Sequence, residues 1–275
     1  MTWFGKVVGG AFGFIMGGPL GAMLGAAFGH QLDRKAGDMG LLELDVAPAA
    51  RQRVQMAFFT ATFSIMGHVA KADGRVSEAE IAAARNVMNR MELPDNLRRT
   101  AIHLYNEGKR TDFPLEAALE QFHAECQRRY SLLRMFIELQ LEAALADGAL
   151  HDNAEHLLLL ICERLSFSRF EFHAIRARME AERRFSRHAG HQHQWGRRDL
   201  SDQRESSLAD AYAVLGKSRA ASDGDIKRAY RRLMSQHHPD KLVAKGMPEP
   251  MVAIATEKTQ QIRKAYEIIS KARKF

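Results

Sequence analysis

Cysteine is nearly missing from this chain. Cys126 and Cys162 are the only two in 275 residues, and they form no CxxC pair. That excludes a disulfide framework and a cysteine zinc site, and it fits a reducing compartment. Charge is missing from one long stretch: no Asp, Glu, Lys or Arg occurs from Val7 to Phe28. Strand patterning is missing from the segment that follows Pro48, where apolar residues recur at helical spacing instead. The polar run from Arg183 to Ser207 is rich in arginine but brings no aromatic platform and no groove-reading motif. A nucleic-acid partner is therefore not expected.

What is present begins with the apolar start. Its 22 uncharged positions are enough, as a helix, to cross roughly 30 Å of hydrocarbon. They exceed the ordinary signal-peptide core of about 7–15 residues, and Gly29-His30-Gln31-Leu32 is a poor cleavage site. An uncleaved transmembrane helix, kinked at Pro19, is expected. Glycine stands at positions 5, 9, 13, 17, 21, 25 and 29. Residues four apart share a helix face, and in lipid helices associate by close backbone approach. Gly13, Gly17 and Gly21 are the expected centre of a homodimer interface. Lys6 flanks one side, and Arg34, Lys35, Arg51 and Arg53 the other. The excess of positive charge puts the short N-terminus in the periplasm and the bulk of the chain in the cytoplasm.

The middle segment reads as helices with an internal repeat. Phe59, Phe63, Met66 and Val69 mark one helix, Asp73-Gly74 stops it, and Ser77-Glu78-Ala79-Glu80 is a capping box for the next. Ala144-Leu145-Ala146-Asp147-Gly148 echoes the first turn 74 residues later, with Asp152 and Glu155 echoing the box. One helical bundle is expected. These residues resemble the tellurite-resistance-B-like helical domain over about 50–180. The resemblance raises a divalent metal at Asp73, Glu80, Asp147 and Glu155. Helix stops and caps already account for all four, so no metal and no cofactor are expected.

The net charge of +7 and pI near 9.5 leave anionic lipid or an acidic protein as partner classes. Part of the excess lies at Lys227–Arg232, in "SDGDIKRAYRRLMSQHHPDKLVAKG". Ser222 caps a helix there with Asp225 at the box position. Ile226, Ala229, Tyr230, Leu233 and His237 fall on one face, and Pro239 ends the helix at an exposed loop. From Met251 onward, Ala255, Ile262, Ala265, Tyr266 and Ile269 supply a facing helix.

His238-Pro239-Asp240 after "AYRRLM", with "AYEII" in the return helix, resembles the J-domain of DnaJ-type co-chaperones. The resemblance implies that His238, Pro239 and Asp240 stimulate ATP hydrolysis by a DnaK-type chaperone. It assigns docking to Tyr230, Arg231, Arg232 and Lys241, with Lys227 and Arg228 on the same basic helix. No Gly/Phe-rich stretch and no CxxCxGxG repeat follow, so client selection falls to the other segments.

The expected fold is all-α. It comprises an anchor over 1–34, a central helical domain over 48–183, a flexible linker over 184–207 and a J-domain hairpin over 208–275. The whole resembles the membrane-anchored DnaJ-like proteins of Gram-negative bacteria. They imply a non-enzymatic co-chaperone with a DnaK-type partner and no small-molecule substrate. Two rival readings are a metal-responsive membrane-associated binding protein that senses through the central domain, and a structural membrane organiser acting through the glycines.

Overall fold

A computed structural model of the chain describes residues 20–21, 46–126, 129–190 and 200–275. Gly13 and Gly17 lie outside the described residues, as does nearly all of the expected transmembrane helix. Of that stretch only Leu20 and Gly21 are described. Leu20 is buried and its N–H donates to Gln121 Oε1 at 2.7 Å. Among the described residues, no helix is long and apolar enough to cross a membrane.

The described residues are helical, without strands. Two compact units form: residues 1–167 with Val243–Ala253, and Ser168–Leu242 with Ile254–Phe275. The first contains α1 (Val46–Ala70), α2 (Glu78–Arg90), α3 (Asp95–Gly108), α4 (Leu115–Glu125), α5 (Tyr130–Ala144) and α6 (Asp152–Arg164).

Helix α1 is the axis of this unit. It packs against α3, α4 and α5, with α2 and α6 at its margins. The apolar spacing marks the helix but understates its burial. Thr60, Thr62 and Ser64 are buried along with Phe58, Phe63 and Met66, so α1 is covered on every side over residues 57–67. Buried hydroxyls need partners: Thr62 donates to Phe58 O at 2.7 Å and Ser64 to Thr60 O at 2.8 Å. Gln140 of α5 donates to Thr62 O at 3.1 Å. Phe122 joins the layers, 5.9 Å from Phe58 and 4.6 Å from Phe136 between ring centroids. Cys126 is buried in the same core, and burial pushes its thiol up to about 12.

The two Asp-Gly turns have the same construction. Gly74 (φ 83°) and Gly148 (φ 99°) both adopt the left-handed conformation that glycine tolerates. Ser77 Oγ donates to Asp147 Oδ1 at 3.2 Å, so the turns are neighbours in space. Ser77 and Glu80 form the expected capping box. At the second turn the box does not form: His151 is the N-cap, without a side-chain bond. Asp152 and Glu155 instead sit in the first turn of α6, where acidic groups favour the positive end of the helix dipole.

The second unit contains α7 (Arg169–Gly190), α8 (Leu200–Val214), α9 (Asp223–His237) and most of α10 (Pro239–Ala244) and α11 (Val252–Arg273). Helices α7 and α8 cover most of the stretch read from sequence as a linker over 184–207. A reciprocal box starts α7: Ser168 N–H donates to Glu171 Oε2 at 2.8 Å, and Glu171 N–H donates to Ser168 Oγ at 3.2 Å. Burial carries the helix onward. Ala181 and Phe185 join a core with Tyr212 and Leu215 of the α8 end, Ile226 and Leu233 of α9, and Ile262 and Ile269 of α11.

Helices α1 and α3 touch backbone to backbone at two glycines. A Cβ at Gly67 would fall inside the carbonyl of Tyr105, and one at Gly108 inside the carbonyl of Ser64. Neither backbone carbonyl can rotate away as a side chain would. Gly67→Ala and Gly108→Ala are each expected to cost at least about 2 kcal/mol in urea denaturation followed by circular dichroism. Gly74→Ala meets no atom within 4 Å and carries only the left-handed strain, about 1 kcal/mol. Equal, small effects at all three positions would refute the close approach.

Candidate functional site

The site is built at one end of α9 and α11. The opposite end of α9 is fixed first. Ser222 Oγ accepts from Asp225 N–H at 3.1 Å and donates to Asp225 Oδ2 at 2.7 Å. Arg228 donates to the other carboxylate oxygen at 2.6 Å. The Ser222 bond, and then Arg228, hold the Asp225 carboxyl below the usual carboxylate range. Arg273 of α11 ties the turn between α8 and α9 to the return helix. It donates to Tyr212 Oη at 2.6 Å, Ala221 O at 2.7 Å and Asp223 Oδ1 at 2.8 Å, and also to Arg219 O.

Between these ends α9 has two characters. Ile226, Ala229, Leu233 and His237 are buried and Tyr230 is half-buried, as the periodicity predicts. Lys227, Arg228, Arg231 and Arg232 are exposed and leave the helix as a cationic stripe.

At the tip the structure differs from a plain loop. His238 leaves the helix with extended backbone (φ −62°, ψ 122°), because a residue before proline avoids the helical region. Pro239 then opens the new helix α10, where its missing N–H costs nothing and its fixed φ is already helical. Leu242 N–H donates back to His238 O at 3.1 Å. Asp240 thus rides on the first turn of a short helix, with its side chain 90% exposed. His238 Nδ1 lies 3.9 Å from Asp240 Oδ2, too far for a hydrogen bond. Lys241 folds back along α9, donating to Ser235 Oγ at 2.7 Å. The neighbouring His237 belongs to the core.

Of the four carboxylates considered for metal, Asp147 and Glu80 both bond Ser77. Asp73 and Asp147 are exposed at their turns, Glu80 Oε2 accepts from Ser77 N–H, and Glu155 lies in the first turn of α6. Among the described residues, no group of three His, Cys, Asp or Glu side chains is placed to hold a metal ion.

Sequence reasoning missed the group that holds α11 near its start. Lys258 is buried, with Nζ 3.6 Å from Glu182 Oε2 of α7, and Arg178 Nε lies 3.3 Å from Glu182 Oε1. A lysine four residues before Ile262 on an otherwise apolar face was the available signal. Arg184 adds an ion pair to Asp210 at 3.1 Å.

Helix α9 thus ends at His238-Pro239-Asp240, beside its own exposed basic stripe. Residues 210–274 match the family model described as DnaJ domain, residues 59–177 that of Tellurite resistance protein TerB, and residues 1–53 that of Co-chaperone DjlA transmembrane domain. Proteins named Co-chaperone protein DjlA are similar over most of the chain. The one from Coxiella burnetii is 47% identical, covering 80% of this chain and 79% of its own. That from Vibrio parahaemolyticus is 44% identical over 99% of both chains. That from Photorhabdus laumondii is 42% identical over 90% and 89%. The chain belongs to the DjlA co-chaperone family, whose transmembrane model at residues 1–53 marks it as membrane-anchored. No solved structure matches the chain.

The buried triad gives an asymmetric expectation. Glu182→Ala removes the carboxylate that the buried Arg178 and Lys258 share and should cost about 3 kcal/mol or more. Lys258→Met leaves Glu182 paired with Arg178 and should be close to neutral. Urea denaturation of the two variants measures this; a costly Lys258→Met beside a neutral Glu182→Ala would contradict the assignment.

Proposed function

We infer that this chain recruits a cytoplasmic DnaK-type chaperone to the bacterial inner membrane and stimulates its ATP hydrolysis through His238, Pro239 and Asp240. The observation that carries this reading is the mounting of Asp240: a fully presented anion on the first turn of α10, beside the exposed stripe of Lys227, Arg228, Arg231 and Arg232. A cationic stripe attracts an acidic partner surface quickly and in a salt-dependent way. Arg231 and Arg232, with Tyr230, Lys241 and Lys227, make the docking face. Arg228 is committed to Asp225 in the free chain, so its part is the smaller one.

In this reading the chain performs no chemistry on a substrate of its own. The reaction belongs to the partner, and the chain supplies a positioned contact. The anchor fixes where that contact is offered, with a short periplasmic N-terminus and the rest in the cytoplasm. Gly13, Gly17 and Gly21 pair two anchors, and insertion requires Leu20 to leave Gln121. Client selection is left to the central helical domain, the anchor or the membrane location.

Single-turnover ATP hydrolysis by a purified DnaK-type chaperone, with the full chain in nanodiscs, tests the inference. The wild type should accelerate hydrolysis, and His238→Gln should return the rate to the unstimulated level. Acceleration by the wild type should fall as salt rises. Equal stimulation by His238→Gln would overturn the mechanism.

A further inference from the structure

The basic stripe does not stand alone on its helix. Two of its docking side chains rest on aromatic rings that come from outside α9. Tyr230 stacks on Tyr266 of α11, with centroids 4.2 Å apart and planes inclined by 16°. Lys227 Nζ lies over the ring of Phe275, 4.7 Å from its centroid. The two supporting rings also meet, edge to face at 6.1 Å. Lys227, Phe275, Tyr266 and Tyr230 therefore form one continuous row across the two helices.

The backbone is arranged to deliver Phe275 to that row. Lys274 takes a left-handed turn (φ 61°), which reverses the chain just after α11. Lys274 and Phe275 N–H groups both donate to Ser270 O, at 2.8 and 3.3 Å, and Ser270 Oγ donates to Phe275 O at 2.5 Å. A non-glycine residue in this conformation is uncommon and is held by its surroundings. Here the holding contacts are the Ser270 bonds and the aromatic packing.

Side-chain entropy gives the row a consequence. An exposed tyrosine or lysine loses rotamer freedom when a partner docks. A ring that already stacks, or an ammonium already seated over a ring face, has lost part of that freedom beforehand. We propose that Tyr266 and Phe275 are positioning residues of the docking face, holding Tyr230 and Lys227 in the orientation that meets the DnaK-type partner. This rests on the docking reading above. The rings act on how readily the partner docks, and His238-Pro239-Asp240 act on what happens once it has docked.

The test separates those two steps. Stimulated single-turnover hydrolysis is measured against concentration of the full chain, giving a half-saturating concentration and a maximal rate. Tyr266→Ala should raise the half-saturating concentration about 3- to 10-fold and leave the maximal rate unchanged. Tyr266→Phe keeps the stack and should restore the wild-type value. Phe275→Ala, at the edge of the packing, should raise it about 2- to 5-fold and serves if Tyr266→Ala does not fold. Absence of stimulation by the wild type would sink the docking reading itself. Stimulation by the wild type, with Tyr266→Ala or Phe275→Ala half-saturating at its concentration or Tyr266→Phe failing to rescue, would overturn the positioning proposal alone.

Discussion

The tip of the J-domain depends on packing that lies away from it. Asp240 and His238 make no close bond to each other, and Asp240 projects into solvent. What places them is the apolar seam in which Ile226 and Leu233 of α9 share a core with Ile262, Ala265 and Ile269 of α11. Burying such side chains is worth roughly 1.5–3 kcal/mol each, far more than any single contact at the tip. Arg273 closes the seam at one end, and the Glu182 triad holds α11 near the other. The helical register then fixes which side of α9 faces outward, and the basic stripe follows from it.

That seam extends beyond the limits of the J-domain as a sequence unit. The matched segment begins at residue 210, yet Ala181 and Phe185 of α7 belong to the same core. The match to the tellurite-resistance-B model ends at residue 177, inside α7. One helix thus begins in one family unit and finishes in the core of the next. A polar tether would let the tip sample space freely. A helix that shares the core instead makes the segment before the J-domain part of its fold.

How legible this was differs by element. The three residues of the tip, the stripe and the buried face of α9 could be read directly, because each is local: a tripeptide, a charge run, a 3.6-residue period. The Ser77 cap and the glycine stops were legible for the same reason. The second cap was not, because Asp152 satisfies the pattern while the chain places the helix start one residue earlier, at His151. Residues 184–190 and 200–207 of the expected linker lie in helices, which its polar composition conceals: Phe185 is deeply buried, and the Ser168-x-x-Glu171 box that starts α7 lies upstream of the stretch. Contacts between elements distant in sequence, such as Lys258 with Glu182 or Tyr266 with Tyr230, have no local signature. The crossing of α1 and α3 is of that kind too: Gly67 and Gly108 look like ordinary helix glycines until their backbones are seen in contact.

The most direct test of this account is native-state amide hydrogen exchange on the full chain, read across the second unit. If α7 is part of the J-domain core, the amides of Ala181 and Phe185 exchange through the same cooperative opening as those of Ile262, Ala265 and Ile269, with the same denaturant dependence. If Ala181 and Phe185 instead exchange through local openings of low free energy while α11 stays protected, α7 is a tether, and the tip is not held in the way described.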